Sequence, residues 1–307
     1  EALFDHGLKN ILIVRYSTFS DDIEVTRTIL RVLSSLFQPR PPIHVAQITD
    51  LLPILSTALH SSDKLIVSHA ATAFSLLFDS DEFNEILRLD SSIAPTLIQL
   101  MMHAAVEVVE PALKAVGKII LQYDEDMGEA MIQLQVIPSL LWLVDYPNLK
   151  IRREALWSLS NIATGNHSQI QAVIDTGIIP RIMPLMKDWK NENYDERLLY
   201  EETSIILGNI LSKGTNDQKK YLLTEHVFEA FCDALRNPRF LNEPGSDKEL
   251  RVLLDGVFHF LRFAQTDYLD SKEIISSLFK KEKLLNALKV IKKSKNRPYN
   301  AGAWLEQ

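Results

Sequence analysis

Apolar positions along this chain recur at three- and four-residue steps, and the pattern returns about every 42 residues. Between Arg153 and Gly177 the apolar residues Ala155, Leu156, Leu159, Ile162 and Ala163 mark one buried face of a helix. Trp157 and Asn161, four apart, lie one turn above each other on another face. Prolines stand at Pro53, Pro95, Pro138 and Pro180, with spacings of 42, 43 and 42. Proline suits a first helical turn, where its missing N–H would have had no partner. The pattern therefore predicts a second helix opening at each proline and a longer third helix after it.

Those third helices align as Thr28-ILRVLSSLF, His69-AATAFSLLF, Pro111-ALKAVGKII, Glu154-ALWSLSNIA, Glu202-TSIILGNIL and, more weakly, Leu253-LDGVFHFLR. The positions equivalent to Trp157 are Arg31, Thr72, Lys114 and Ile205. Those equivalent to Asn161 are Ser35, Leu76, Lys118 and Asn209, with His259 further on. A helical period of about 42 is the signature of armadillo or HEAT repeats, in which each unit buries its face only against its neighbours. Three helices per unit favour armadillo, and Gly117, Ser160 and Gly208 are small enough for close helix packing.

The expected fold is thus all-α, an armadillo right-handed superhelical solenoid of about seven repeats. A partial first repeat covers 1–37, followed by roughly 43–79, 81–122, 125–164, 166–213, 216–264 and 267–307. Lys187–Glu196 and Asn237–Lys248 are polar insertions rich in turn residues. Neither reads as a domain linker, so 1–307 is expected to form one array.

Composition narrows the chemistry. Hydrophobic residues make up 46% of 307, enough for a folded chain, and no window is long and apolar enough to span a bilayer. The single Cys232 cannot form an internal disulfide and points to a reducing compartment. Net charge is −7, but residues 280–297 hold eight Lys or Arg against one Glu, leaving −14 for the remainder. An acidic body argues against direct nucleic-acid binding and suits basic peptide or protein ligands.

There is no glycine-rich phosphate loop, no HExxH and no paired Cys ligands, and the eight histidines lack metal-ligand spacing. No enzyme, metal or cofactor is expected. Asp79-Ser80-Asp81-Glu82 and Asp124-Glu125-Asp126 fall at turns between repeats, where they read as helix caps.

With the register fixed, the chain resembles the importin-α family of armadillo nuclear-import adaptors. Val109-EPALKAVGKII is similar to that family's PALRAVGNI segment. Ile151-RREALWSLSNIATGNHSQIQAVIDTGIIP matches it almost residue for residue. Arg27-TILRVLSSLFQPRPPIHVAQ and Tyr299-NAGAWLEQ resemble further segments, so the likeness covers essentially the whole chain. It runs from the end of the third family repeat to the tenth, as a piece of a longer protein.

The resemblance implies that tryptophans sandwich the stems of lysines in a nuclear localisation signal, asparagines bond its backbone, and acids receive its ammonium heads. On this chain it assigns cargo-peptide binding to Glu154, Trp157, Ser160, Asn161, Glu202, Asn209, Lys114 and Lys118. It also implies an importin-β-type receptor, reached through an amino-terminal segment not in this chain. An export receptor would meet the carboxy-terminal repeats, and residence would be in cytoplasm and nucleus.

The ladder is degraded. Only Trp157–Asn161 is complete; Asn209 is partnered by Ile205, and Arg31/Ser35 and Thr72/Leu76 replace two other pairs. One Trp–Asn pair and a second Asn sum to ~3–4 kcal/mol, near the ~4 kcal/mol of a millimolar complex. That predicts weak binding of an ordinary lysine-rich signal and leaves room for a cargo with acidic or apolar anchors.

Other readings stay open. Trp157 could be inter-repeat packing, and Asn209 could bond a neighbouring helix end. Lys114 and Lys118 could line a groove or form a solvated stripe. Trp142, Trp189 and Trp304 read as packing or surface residues. The run Lys280–Arg297 could be a charged last-repeat surface, a localisation or nucleic-acid patch, or the export-receptor contact. The alternative function is an armadillo interaction scaffold no longer acting in nuclear transport.

Overall fold

The computed structural model describes residues 7–38, 44–80, 82–122, 125–190, 194–235 and 247–265, and among them there is no β-strand. The Lys280–Arg297 run, Trp304 and the expected repeat 267–307 lie outside the described residues, as does most of the 237–248 insertion. The chain divides into two compact units, Glu1–Trp142 and Leu143–Gln307.

In the first unit α1 (Leu8–Thr18) precedes α2 (Ile23–Leu36). Two triplets follow, each of two shorter helices and a long third. The first is α3 (Val45–Ile48), α4 (Leu52–Ala58) and α5 (Lys64–Leu77). The second is α6 (Phe83–Leu89), α7 (Ile93–Leu100) and α8 (Val106–Gln122). Helices α9 (Glu125–Gln133) and α10 (Val136–Leu143) come next. The long helices α2, α5 and α8 pack in series. Their common core holds Leu30, Leu33, Phe74, Phe78, Leu113 and Val116, none exposed.

The second unit starts at α11 (Leu149–Ile162). Then come α12 (His167–Asp175), α13 (Ile178–Ile182) and α14 (Tyr194–Lys213). The last three are α15 (Asn216–Thr224), α16 (Val227–Ala234) and α17 (Asp247–Gln265). Again the long helices, α11, α14 and α17, pack in series. The segment expected as one repeat over 125–164 gives α9 and all but the last residue of α10 to the first unit and α11 to the second.

Local chemistry explains the helix starts. Pro53, Pro95, Pro138 and Pro180 each fall in a first turn, where no N–H is missed. The long helices α2, α5 and α11 open on an Asx cap: the side chains of Asp22, Asp63 and Asn148 each accept two backbone N–H bonds from the first turn that follows. Asp63 also accepts from Arg27 of α2, and that bond holds its carboxyl at about 2. The cap therefore stays charged through nearly the whole acid range. Asn166 and Thr215 form capping boxes with Gln169 and Gln218 at the short helices α12 and α15.

The acidic turn at 79–82 behaves differently from the sequence expectation of local capping. Asp79 pairs with Lys118 of α8 at 2.7 Å. Glu82 makes no cap bond to its own helix α6. Its carboxylate accepts instead from the backbone N–H of Val45, at the start of α3, and faces His44. Tertiary partners outcompeted the nearest backbone.

Gly208 bears out the expectation of close helix approach. A methyl group there would stand 3.1 Å from Val252 Cγ1 of α17.

Candidate functional site

Helix α11 sorts its residues by face. Ile151, Ala155, Leu156, Leu159 and Ile162 are buried, whereas Glu154, Trp157 and Asn161 are half-buried along one stripe. Steps of three and four residues bring these three together on successive turns. Ser160 is only 3% exposed; its hydroxyl donates to the carbonyl of Trp157, so it offers no free donor to a ligand. Asn161 Nδ2 is buried without a hydrogen-bond partner. An unsatisfied buried donor costs about 1–3 kcal/mol. Turning this amide toward a ligand acceptor would therefore break no internal bond, one turn from an indole.

The neighbouring helix α14 presents Glu202, Ile205 and Asn209 at the equivalent positions. The Glu202 carboxylate, 10% exposed, lies 3.7 Å from Arg153 Nε of α11. An internal cation already shares the acid assigned to an incoming ammonium. Asn209 Nδ2 donates to the carbonyl of Ser160 at 2.9 Å. Four residues on, the Lys213 ammonium donates to the carbonyl of Thr164. Both bonds reach the carboxy-terminal end of α11, where carbonyls have no helical partner and a cation is favoured. Asn209 is thereby a helix-to-helix fastener, the local-bonding reading of a lone asparagine.

The same fastener recurs in the first unit. Lys118, at the Asn161-equivalent position of α8, donates to the carbonyl of Ser75 and pairs with Asp79. Four residues on, Gln122 Nε2 donates to the carbonyl of Phe78. Lys114, 47% exposed, pairs within its own helix to Glu110 at 2.7 Å. Of the eight sequence-assigned residues, Glu154, Trp157, Ser160, Asn161, Glu202 and Asn209 come together on α11 and α14. Lys114 and Lys118 lie on α8 of the other unit.

Sequence reasoning missed Arg153 and the fastener residues Lys213 and Gln122. The signal existed: each stands four residues past an Asn161-equivalent, and Arg153 precedes Glu154 directly. Removing the Asn209 bond is expected to be a stability lesion of about 1 kcal/mol. A urea midpoint for Asn209→Ala equal to wild type would remove the fastener role.

Trp142 is 45% exposed, and Trp189 and Trp304 fall among residues whose side chains are not described. Among the described residues, no group of three His, Cys, Asp or Glu could hold a metal ion, and no helix is long and apolar enough to cross a membrane.

Serial packing of long third helices defines an armadillo-repeat protein, and comparison with known proteins agrees. The Armadillo/beta-catenin-like repeat family matches residues 129–164. Among solved structures, a designed armadillo repeat protein superposes with a TM-score of 0.66 at 19% identity, covering 81% of this chain and 98% of that one. A second designed armadillo repeat protein, in complex with peptide (KR)4, gives a TM-score of 0.64 at 21% identity, over 80% of this chain and 98% of its own.

Importin subunit alpha-1a of Oryza sativa subsp. japonica is 35% identical over 159 residues, 51% of this chain and 30% of that protein. Importin subunit alpha-4 of Arabidopsis thaliana is 29% identical over 245 residues, 80% of this chain and 43% of its own. The chain thus spans less than half the length of these relatives. It is a divergent importin-α-like armadillo protein.

Proposed function

We propose that the chain is the cargo-binding part of an importin-α-like adaptor and that α11 and α14 grip an extended basic peptide. The observation that carries this reading is the half-buried Trp157 beside an Asn161 amide whose buried N–H has no partner. A lysine stem laid on the indole gains roughly 0.5–2 kcal/mol from its cation. The Asn161 amide then donates to a peptide carbonyl, and Glu154 stands one turn before Trp157 to face the ammonium. The chemistry is binding, with no catalytic step, metal or cofactor.

The grip is short. Asn209 and Glu202 already have partners within the protein, so they add less than the sequence ladder implies. The reading entails cargo of modest affinity for this unit, an importin-β-type receptor reached through a segment outside this chain, and an export receptor at the carboxy-terminal repeats. It places the protein in cytoplasm and nucleus, away from membranes and without direct nucleic-acid binding. The same occupied partners favour the second reading, an armadillo interaction scaffold no longer acting in nuclear transport.

Photo-crosslinking separates the two. A lysine-rich peptide bearing a photoreactive residue is expected to label α11 and α14 around Trp157, and excess unlabelled peptide should suppress the labelling. Labelling confined to other helices would sink the adaptor reading.

A further inference from the structure

Glu154 and Glu202 stand at equivalent positions of α11 and α14, whereas the equivalent rows in the first unit carry no acid at all. Arg31, His69, Lys114 and Lys118 occupy them instead, with Thr72 and Leu76 between. The serial packing of α2, α5 and α8 sets these residues side by side. Bonds from Lys118 to Ser75 and from Gln122 to Phe78 lock α8 to α5 in that register.

Lys114 and Lys118 are compensated, by Glu110 and Asp79. Arg31 is different: it is exposed, and its guanidinium makes no hydrogen bond or ion pair to any described residue. The nearby acids Glu24 and Asp63 are both held by Arg27. His69, half-buried on the next helix, adds a second group that an anion would charge, and Leu76 is a half-buried apolar contact one turn beyond Thr72. Burial and Arg31 together hold the His69 imidazole below the ordinary histidine range.

We propose that the α2–α5–α8 face of the first unit docks an acidic peptide, with a carboxylate on Arg31 beside His69 and an apolar side chain on Leu76. A guanidinium binds a carboxylate through two parallel N–H bonds, which gives direction as well as attraction. Because both groups are exposed, the contact weakens with added salt. The surface is independent of the Trp157 grip, and its ligand has the opposite charge.

The probe is a fluorescein-labelled peptide of glutamate, leucine and serine, titrated into the full chain by anisotropy at low and physiological salt. Binding should weaken about tenfold in Arg31→Glu and fall as salt rises. Lys114→Glu, also an exposed change, should weaken it in the same direction, and Trp157→Ala should leave it unaltered. Both charge variants should keep the wild-type melting curve, because neither site is buried. On adding peptide, the His69 imidazole resonances should titrate at higher pH, since a carboxylate neighbour favours the charged ring. Equal affinity in wild type and Arg31→Glu overturns the proposal, as does loss of binding in Trp157→Ala. Tighter Arg31-dependent binding of a single-stranded oligonucleotide would overturn the assignment to a peptide.

Discussion

Phe74→Ala is expected to cost about 3–5 kcal/mol, as large-to-small changes of buried aromatics do. Phe74 has no exposed surface and sits on α5, the middle helix of the α2–α5–α8 series. Its ring stacks on Phe78 with centroids 5.8 Å apart. Truncation removes that contact and leaves a cavity that helices on both sides line. In a repeat protein each unit is stabilised by its neighbours, so losing the middle of a series uncouples two interfaces at once. The first unfolding transition in urea should move to markedly lower denaturant. Leu121→Ala on α8, where the side chain is 55% exposed, should shift it by less than about 0.5 kcal/mol. Comparable shifts for the two variants would contradict the packing described here.

The helical layout was legible because it rests on local chemistry repeated many times. Prolines in first turns, apolar steps of three and four, and a 42-residue return all speak of the same three-helix unit. What local chemistry could not give was partner choice across helices. Asp79 and Glu82 looked like caps because a carboxylate near a helix start is a good cap. Lys118 and Val45, 39 and 37 residues away in the chain, took them instead. The role of Asn209 was open for the same reason: an amide that can bond a peptide can equally bond the carbonyl of Ser160, and only the position of α11 decides. Gly256 was unremarked in the sequence, yet a methyl group there would stand 2.1 Å from a Phe231 ring atom. Its close approach belongs to α16 and α17 together, and neither helix alone encodes it.

The candidate site was half legible. Trp157 and Asn161 were readable as a pair from their four-residue spacing, and the structure leaves both on the half-buried stripe. The charge state around them was not readable. Arg153 shares Glu202, and Lys118 is tied to Asp79, so formal charges at groove positions overstate what a ligand meets. The unsatisfied amide of Asn161 emerges only once the neighbouring helices are in place.

That donor and its indole neighbour make Trp157 the residue on which the functional account turns. An aromatic that stacks on a ligand side chain in a partly desolvated site is the usual form of a binding hot spot, and truncating one costs ~2 kcal/mol or more. The expected loss in Trp157→Ala is therefore about thirtyfold. Trp157 is half-buried and makes no side-chain hydrogen bond to any described residue, so the fold should survive its removal. Asn161→Ala should lose less, about the ~1 kcal/mol of one net hydrogen bond. Asn209→Ala should lose still less, because that amide is already engaged with Ser160. The direct measurement is anisotropy of a fluorescent lysine-rich peptide titrated into wild type and Trp157→Ala of matched helicity. Saturable binding by wild type that weakens about thirtyfold in the variant is the predicted result. The same affinity in both, or no saturable binding by wild type, would contradict the account.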